Sequence, residues 1–219
     1  MNEIMKKISF HYIADPMCSQ CYGITPLMEQ VAAFCEANSV DLTLTMGGLR
    51  AGGGVSWDEG FKGFLSQEWT EINQLTGMPF DFSFFDLPDF NYDTEPACRA
   101  VVAAQIMFAK NGERPTRVLD FFKAAQEQFY AHKNDLKEIE AYRVVCEKTG
   151  INFESFSALF SDEQTIKATL QQFVQARIWE ADDFPILMLD IDGNQIRLAR
   201  GFTQSKSILE NLLAIKNKV

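Results

Sequence analysis

Histidine is close to absent from this chain of 219 residues, with His11 and His132 its only two. Apart from Cys18 and Cys21 there is no closely spaced pair of cysteines, which argues against the four-ligand Cys and His sets of structural zinc sites. Positive charge is also in deficit. The formal net charge is −10 and the pI about 4.7, which argues against nucleic acid or an anionic membrane surface as partner, since both need a basic face. Long apolar runs are missing too. No window approaches the roughly 18 continuous apolar residues of a membrane span. The run from Met1 to Lys7 has no apolar stretch of the kind a secretory leader requires. The expectation is a soluble, cytoplasmic protein, with a leader-cleaved periplasmic form as the alternative. Finally, the five cysteines are an odd number and mostly scattered, which is a poor basis for a disulfide framework. What the chain does have is apolar material for a core: 47% of its residues are hydrophobic, 19 of them Phe.

Lys7 to Ile13 alternates, with Ile8, Phe10 and Tyr12 on one face, and reads as a first strand. Cys18 and Cys21 follow, separated by Ser19 and Gln20. They lead into a helical stripe through Leu27, Val31, Phe34 and Cys35 that runs to about Ala37, with Pro26 expected to kink it. Residues three apart at a helix start share a face, so these two sulfurs can close a small ring. The unpaired N–H groups and positive dipole end at that position stabilise a thiolate. C-x-x-C at a strand-to-helix step therefore reads first as a redox pair. Val40 to Met46 alternates again, giving β-α-β with the thiols at the first strand-to-helix turn, where open α/β sheets place their chemistry.

The glycine-rich stretch Gly47 to Gly54 is expected to be a flexible exit from the second strand. It has no Lys and Ser/Thr pair to complete a phosphate loop. Helical patterns then dominate. One helix is opened by the Ser56/Glu59 capping pattern and stops before Gly77, and the aromatic run Phe80 to Phe90 is expected to dock on the core. Helices follow over Pro96 to Lys110 and Pro115 to about Ala131. Asp135 with Glu138 opens another that ends before Gly150, and Ser161 with Gln164 opens a last one. Strand character returns over Pro185 to Leu189 and Gln195 to Ala199, joined by a turn at Asp192-Gly193-Asn194, before a closing helix over Ser205 to Lys218. Cys35, Cys98 and Cys146 sit singly in apolar helical stretches and are expected to be buried and inert.

This order resembles a thioredoxin fold with a large helical insertion, the architecture of the DsbA-like thioredoxin superfamily. Asp15-Pro16-Met17-Cys18, Gly47-Gly48-Leu49-Arg50, Thr94-Glu95-Pro96-Ala97-Cys98-Arg99-Ala100 and Phe184-Pro185 are similar to stretches of its FrnE-like branch. The resemblance implies an α/β chain in which residues 1–54 and 177–219 form a discontinuous thioredoxin domain and 55–176 an inserted helical domain. It implies Cys18 as nucleophile, Cys21 as resolving thiol, Pro185 as a cis-proline facing the pair, and Phe184 and Met17 as substrate contacts. Pro26 matches the kink proline of the active-site helix. Pro16, His11, Tyr12 and Arg50 are candidates for supporting roles. His11 reads first as a plain strand residue, with proton transfer to Cys21 as the alternative, and Arg50 first as a surface charge near the glycine loop, with a substrate contact as the alternative.

Two departures stand out. The family often keeps a buried acid six residues before the nucleophile, where this chain has Tyr12. The dipeptide between the cysteines lacks a histidine, which predicts a thiolate less stabilised than in strongly oxidising relatives.

The activity implied is thiol–disulfide oxidoreduction or isomerisation on protein or peptide substrates. The cysteine pair itself carries the electrons, so no cofactor and no metal is expected; exchange with glutathione and an external redox partner fit, and a monomer is the default. The alternatives are a redox-sensing adaptor of the same fold, and a glutathione-dependent enzyme similar to 2-hydroxychromene-2-carboxylate isomerase. The latter typically carries a serine nucleophile and no cysteine pair.

Overall fold

Four strands form one sheet in the order β2-β1-β3-β4 in a computed structural model that describes residues 7–203 together with 208 and 210. β1 (Ile8–Ala14) lies in the middle. It runs parallel to β2 (Asp41–Met46), with Tyr12 beside Leu44, and antiparallel to β3 (Ile186–Ile191), with Tyr12 beside Leu187. β3 turns at Asp192-Gly193, both at positive φ, into the antiparallel edge strand β4 (Asn194–Arg200). The alternation read in β1 sets its two faces. Phe10 and Tyr12 meet Phe34 and Phe122 on one side, while His11 packs on Trp179 on the other.

The stretch after β1 departs from the expected single kinked helix. It forms two helices, α1 (Ser19–Gly23) and α2 (Thr25–Ala37), with the break at Ile24. Pro26 falls in the first turn of α2, where its missing N–H has no intrahelical partner to lose. The proline thus starts a helix here rather than bending one.

Between β2 and β3 the described chain is helical: α3 (Glu59–Thr76), a 3₁₀ turn over Phe82–Asp86, α4 (Glu95–Lys110), α5 (Arg117–Tyr130), a second 3₁₀ turn over Ile139–Tyr142, α6 (Arg143–Thr149), α7 (Phe153–Phe160) and α8 (Glu163–Ile178). Four differences from the sequence expectation stand out. The cap of α3 is Asp58, whose carboxylate accepts from the Phe61 N–H at 2.9 Å, so Ser56 lies outside the helix. The segment opened by Asp135 is short, because the 3₁₀ turn takes its first part. α7 was not anticipated at all. It is one apolar octapeptide capped by Asn152, and α8 is capped by Asp162 rather than Ser161. The expected closing helix over 205–218 lies outside the described residues, Ile208 and Glu210 excepted.

α4 and α8 lie against β2, whose outer edge would otherwise leave backbone groups unpaired. Gln172 accepts from the Met46 N–H at 2.8 Å, Gln105 donates to the Leu44 carbonyl at 2.8 Å, and the two amides bond each other at 2.6 Å. The aromatic run docks as expected. Trp69, fully buried, has the rings of Phe80, Phe84, Phe85 and Tyr130 within 5.4 Å. That cluster fastens α3 beside α1 and so fixes one wall of the site. Among the described residues no helix is long and apolar enough to cross a membrane, and no group of three or more His, Cys, Asp or Glu is placed to hold a metal ion.

Candidate active site

The chain leaves β1 through a tight turn in which the Cys18 N–H donates to the Asp15 carbonyl at 3.1 Å. Asp at the first position and proline at the second suit such a turn, and Pro16 serves this geometry. Cys18 itself is extended (φ −98°, ψ 116°) and caps α1, its carbonyl receiving the Tyr22 N–H at 3.0 Å. Its thiol is therefore held at the start of the helix. There it donates to the Phe184 carbonyl at 3.4 Å. The Phe184-Pro185 peptide bond is cis, and the Gly201 N–H donates to the Pro185 carbonyl at 2.8 Å, tying this loop to the end of β4.

Cys21 is fully buried behind Cys18. Burial pushes its thiol well up, the adjacent Cys18 sulfur adds to the effect, and the Asp15 backbone N–H acts the other way. Tyr12 lies next to it. That hydroxyl is buried without a regular hydrogen-bond partner, and burial, then the two cysteines, raise it well above its ordinary value. It is a donor at neutral pH and can stabilise a Cys21 thiolate, but it cannot take a proton as a carboxylate would.

The buried acid is Asp15, to which the sequence alone gives no role. Its side chain has no solvent exposure. One carboxylate oxygen accepts from the Met17 N–H at 2.8 Å, and the other from the Leu49 N–H at 2.7 Å and the Cys98 thiol at 3.4 Å. Burial raises its pKa, while the two backbone N–H groups pull it back. One side chain thus joins the cysteine loop, the glycine loop after β2 and α4. The available signal was an acid at the end of an apolar strand, immediately before a proline turn.

A groove of about 550 Å³ opens at Cys18 and is lined by Met17, Gln20, Arg50, Trp69 and Phe184 among others. Gln20 closes one end of it by accepting the Phe202 N–H at 2.7 Å. Tyr92 donates to the Met17 carbonyl at 2.8 Å and supports the floor. Gly47 is required by contact: a Cβ there would lie 2.1 Å from the Phe184 ring. The residues expected at the site therefore divide. Met17, Cys18, Arg50 and Phe184 line the groove, while Cys21, Tyr12 and Pro16 stand behind it. His11 does not join them. It projects from the opposite face of β1, 5.0 Å from Trp179 between ring centres, because neighbours on a strand point to opposite sides of the sheet.

This arrangement has counterparts among solved structures. An inferred protein disulfide isomerase from Nitrosomonas europaea is 27% identical over 97% of this chain and 98% of its own, with a TM-score of 0.82. The cytosolic disulfide reductase DsbM from Pseudomonas aeruginosa is 25% identical over 94% of this chain and 99% of its own, with a TM-score of 0.71. By structure the chain has the DsbA-like thioredoxin fold. A structure of DsbM with GSH is likewise similar (23% identity, 96% of this chain and 100% of that one, TM-score 0.69). No protein-family model matches the sequence, and no curated protein does. These neighbours support a disulfide oxidoreductase role for the DsbA-like fold seen here.

Proposed function

We propose that the chain is a thiol–disulfide oxidoreductase that works through Cys18 and Cys21. The observation that carries this reading is the Cys18 thiol at a helix start, 3.4 Å from the Phe184 carbonyl, on the wall of an open groove. In the reducing direction the Cys18 sulfur attacks a substrate disulfide, forms a mixed disulfide and expels one substrate thiolate. Cys21, released from its proton, then attacks the Cys18 sulfur and expels the second. Two protein thiols become one disulfide, and their protons pass to the two departing thiolates. Phe184 offers backbone next to the reacting sulfur, and Met17 and Arg50 offer side chains.

Glutathione is proposed as a thiol that exchanges with the pair, on the strength of the groove and of the similarity to a reductase seen with GSH. A reducing, cytosolic setting follows the same neighbour. The isomerase alternative has a counterpart in a 2-hydroxychromene-2-carboxylate isomerase (13% identity, TM-score 0.61), a likeness of fold alone. The cysteine pair favours disulfide exchange over it. Cys18→Ser is expected to reduce turnover of insulin disulfides, driven by dithiothreitol, to the background rate, and Cys21→Ser to accumulate mixed disulfides. Turnover retained in Cys18→Ser rules the mechanism out.

A further inference from the structure

Two guanidinium groups line the groove at Cys18, and they are held differently. Arg200 is engaged by its neighbours, with Asp182 at 2.8 Å and Asp183 at 2.7 Å. Arg50 has no carboxylate within 4 Å among the described residues. Its guanidinium carbon instead lies 5.2 Å from the Phe61 ring centre and 5.4 Å from that of Tyr92. Aromatic faces hold a guanidinium by its flat side and leave the N–H donors at its rim available. The backbone is fixed as well: the Arg50 N–H donates to the Thr94 hydroxyl at 3.1 Å, and its carbonyl accepts the Thr94 N–H at 3.3 Å. Tyr92, one of the two rings, also donates to the carbonyl of Met17, the residue before the reactive cysteine. An oriented, unmatched cation is thus built into the same wall as the thiol.

We propose that Arg50 binds a carboxylate of the incoming disulfide, which makes this groove a subsite for small acidic thiol compounds. The inference rests on the oxidoreductase reading above and names the substrate class for it. Charge supplies the reason. The chain as a whole carries −10 and repels an anion at long range, so an acidic substrate needs a local cation to settle beside Cys18. A guanidinium is suited to it, because its fork pairs with both carboxylate oxygens. A small γ-glutamyl-type thiol carries its sulfur and its carboxylates on one short flexible molecule, and Cys18 and Arg50 line the same groove.

The test follows oxidation of the reduced Cys18/Cys21 pair by acid quenching and mass spectrometry. Second-order rates are compared for glutathione disulfide, its tetra-ester and uncharged hydroxyethyl disulfide. In each case two protein thiols become one disulfide, and the reagent disulfide becomes two thiols. Wild-type protein is expected to prefer the free acid over the ester by about tenfold or more. Arg50→Gln is expected to lose most of that preference, and Arg50→Lys to keep part of it. The ester comparison needs no variant and stands even if Arg50→Gln does not fold. Equal wild-type rates for acid and ester, or an Arg50→Gln preference as large as wild type, overturn the proposal and leave the oxidoreductase reading intact. A Cys18→Ser protein oxidised as fast as wild type overturns that reading, and the proposal with it.

Discussion

Cys18 and Cys146 are both cysteines in the company of helices, and both are almost fully buried: 6% of Cys18 is exposed and 1% of Cys146. Burial does not distinguish them. What differs is the surroundings. Cys18 stands at a helix start against a carbonyl and an open groove, whereas Cys146 lies inside α6, where burial pushes its thiol up to about 12. Cys35, inside α2, is pushed to about 12 in the same way. The reactivity proposed for Cys18 therefore rests on its position on the backbone, which Cys35 and Cys146 do not share.

The largest effect that would break this contrast is in labelling. At pH 8 a thiol at about 12 is thiolate in only about one molecule in 10⁴, against roughly one in four for a free thiol at about 8.5. Cys35 and Cys146 in the folded protein should therefore react with iodoacetamide at least about 10³-fold more slowly than a free thiol, with Cys18 modified first. Peptide mapping after timed quenching reads this directly. Early modification of Cys146 at a rate near that of Cys18 would erase the distinction.

Asp15 sharpens the comparison, because it is what the neighbourhood of Cys18 and Cys21 has and that of Cys146 lacks. Asn at this position can accept from only one of the Met17 and Leu49 N–H groups and turns a donor toward the other. Leaving a buried N–H unpaired costs about 1–3 kcal/mol, so Asp15→Asn is expected to lower stability by that amount. The pH dependence has a definite sign. In the unfolded chain Asp15 releases its proton near about pH 3.9, while burial in the folded protein holds that proton to higher pH. Stability from this group is full below the unfolded midpoint and falls as pH rises to the folded one. Denaturant midpoints should show wild type losing its advantage over Asp15→Asn as pH rises from about 4. A growing advantage would contradict the burial argument.

The sequence made the sheet and the thiols legible for physical reasons. Alternation in β1 and β2 and the Asp192-Gly193 turn are local signals, and Cys18 and Cys21 need only a strand before them and a helix after. Phe184-Pro185 was expected opposite the thiols through the resemblance to the DsbA-like thioredoxin superfamily, not from local signals. The rest depended on packing between distant segments. Asp15 acquires its role only when Leu49 and Cys98, 34 and 83 positions away, close over it. Cys98 is buried as expected, and it adds a third donor to that carboxylate. Tyr12 was noticed as a departure, but its contact with Cys21 needed the helix start to be placed. His11 is a plain strand residue: its strand neighbours are at the site while its own side chain faces the other way. α7 was missed since a single octapeptide carries too little periodicity to outweigh the loop it interrupts.

The smallest effect separates two buried cysteines that the sequence could not tell apart. Cys98→Ala and Cys146→Ala each remove one buried sulfur, and each should cost on the order of 1 kcal/mol through lost packing. Only the first also takes a hydrogen-bond donor from the Asp15 carboxylate. That donor favours the ionised acid, so its loss should raise the Asp15 midpoint further and extend toward higher pH the range over which stability declines. Cys146→Ala should leave that range where wild type has it. Denaturant midpoints of the two variants measured from pH 4 upward should therefore run parallel at first and separate in the extended range, Cys98→Ala continuing to fall. Curves that stay parallel would mean that the thiol touches Asp15 without influencing its charge, and Cys98 would rejoin the silent group.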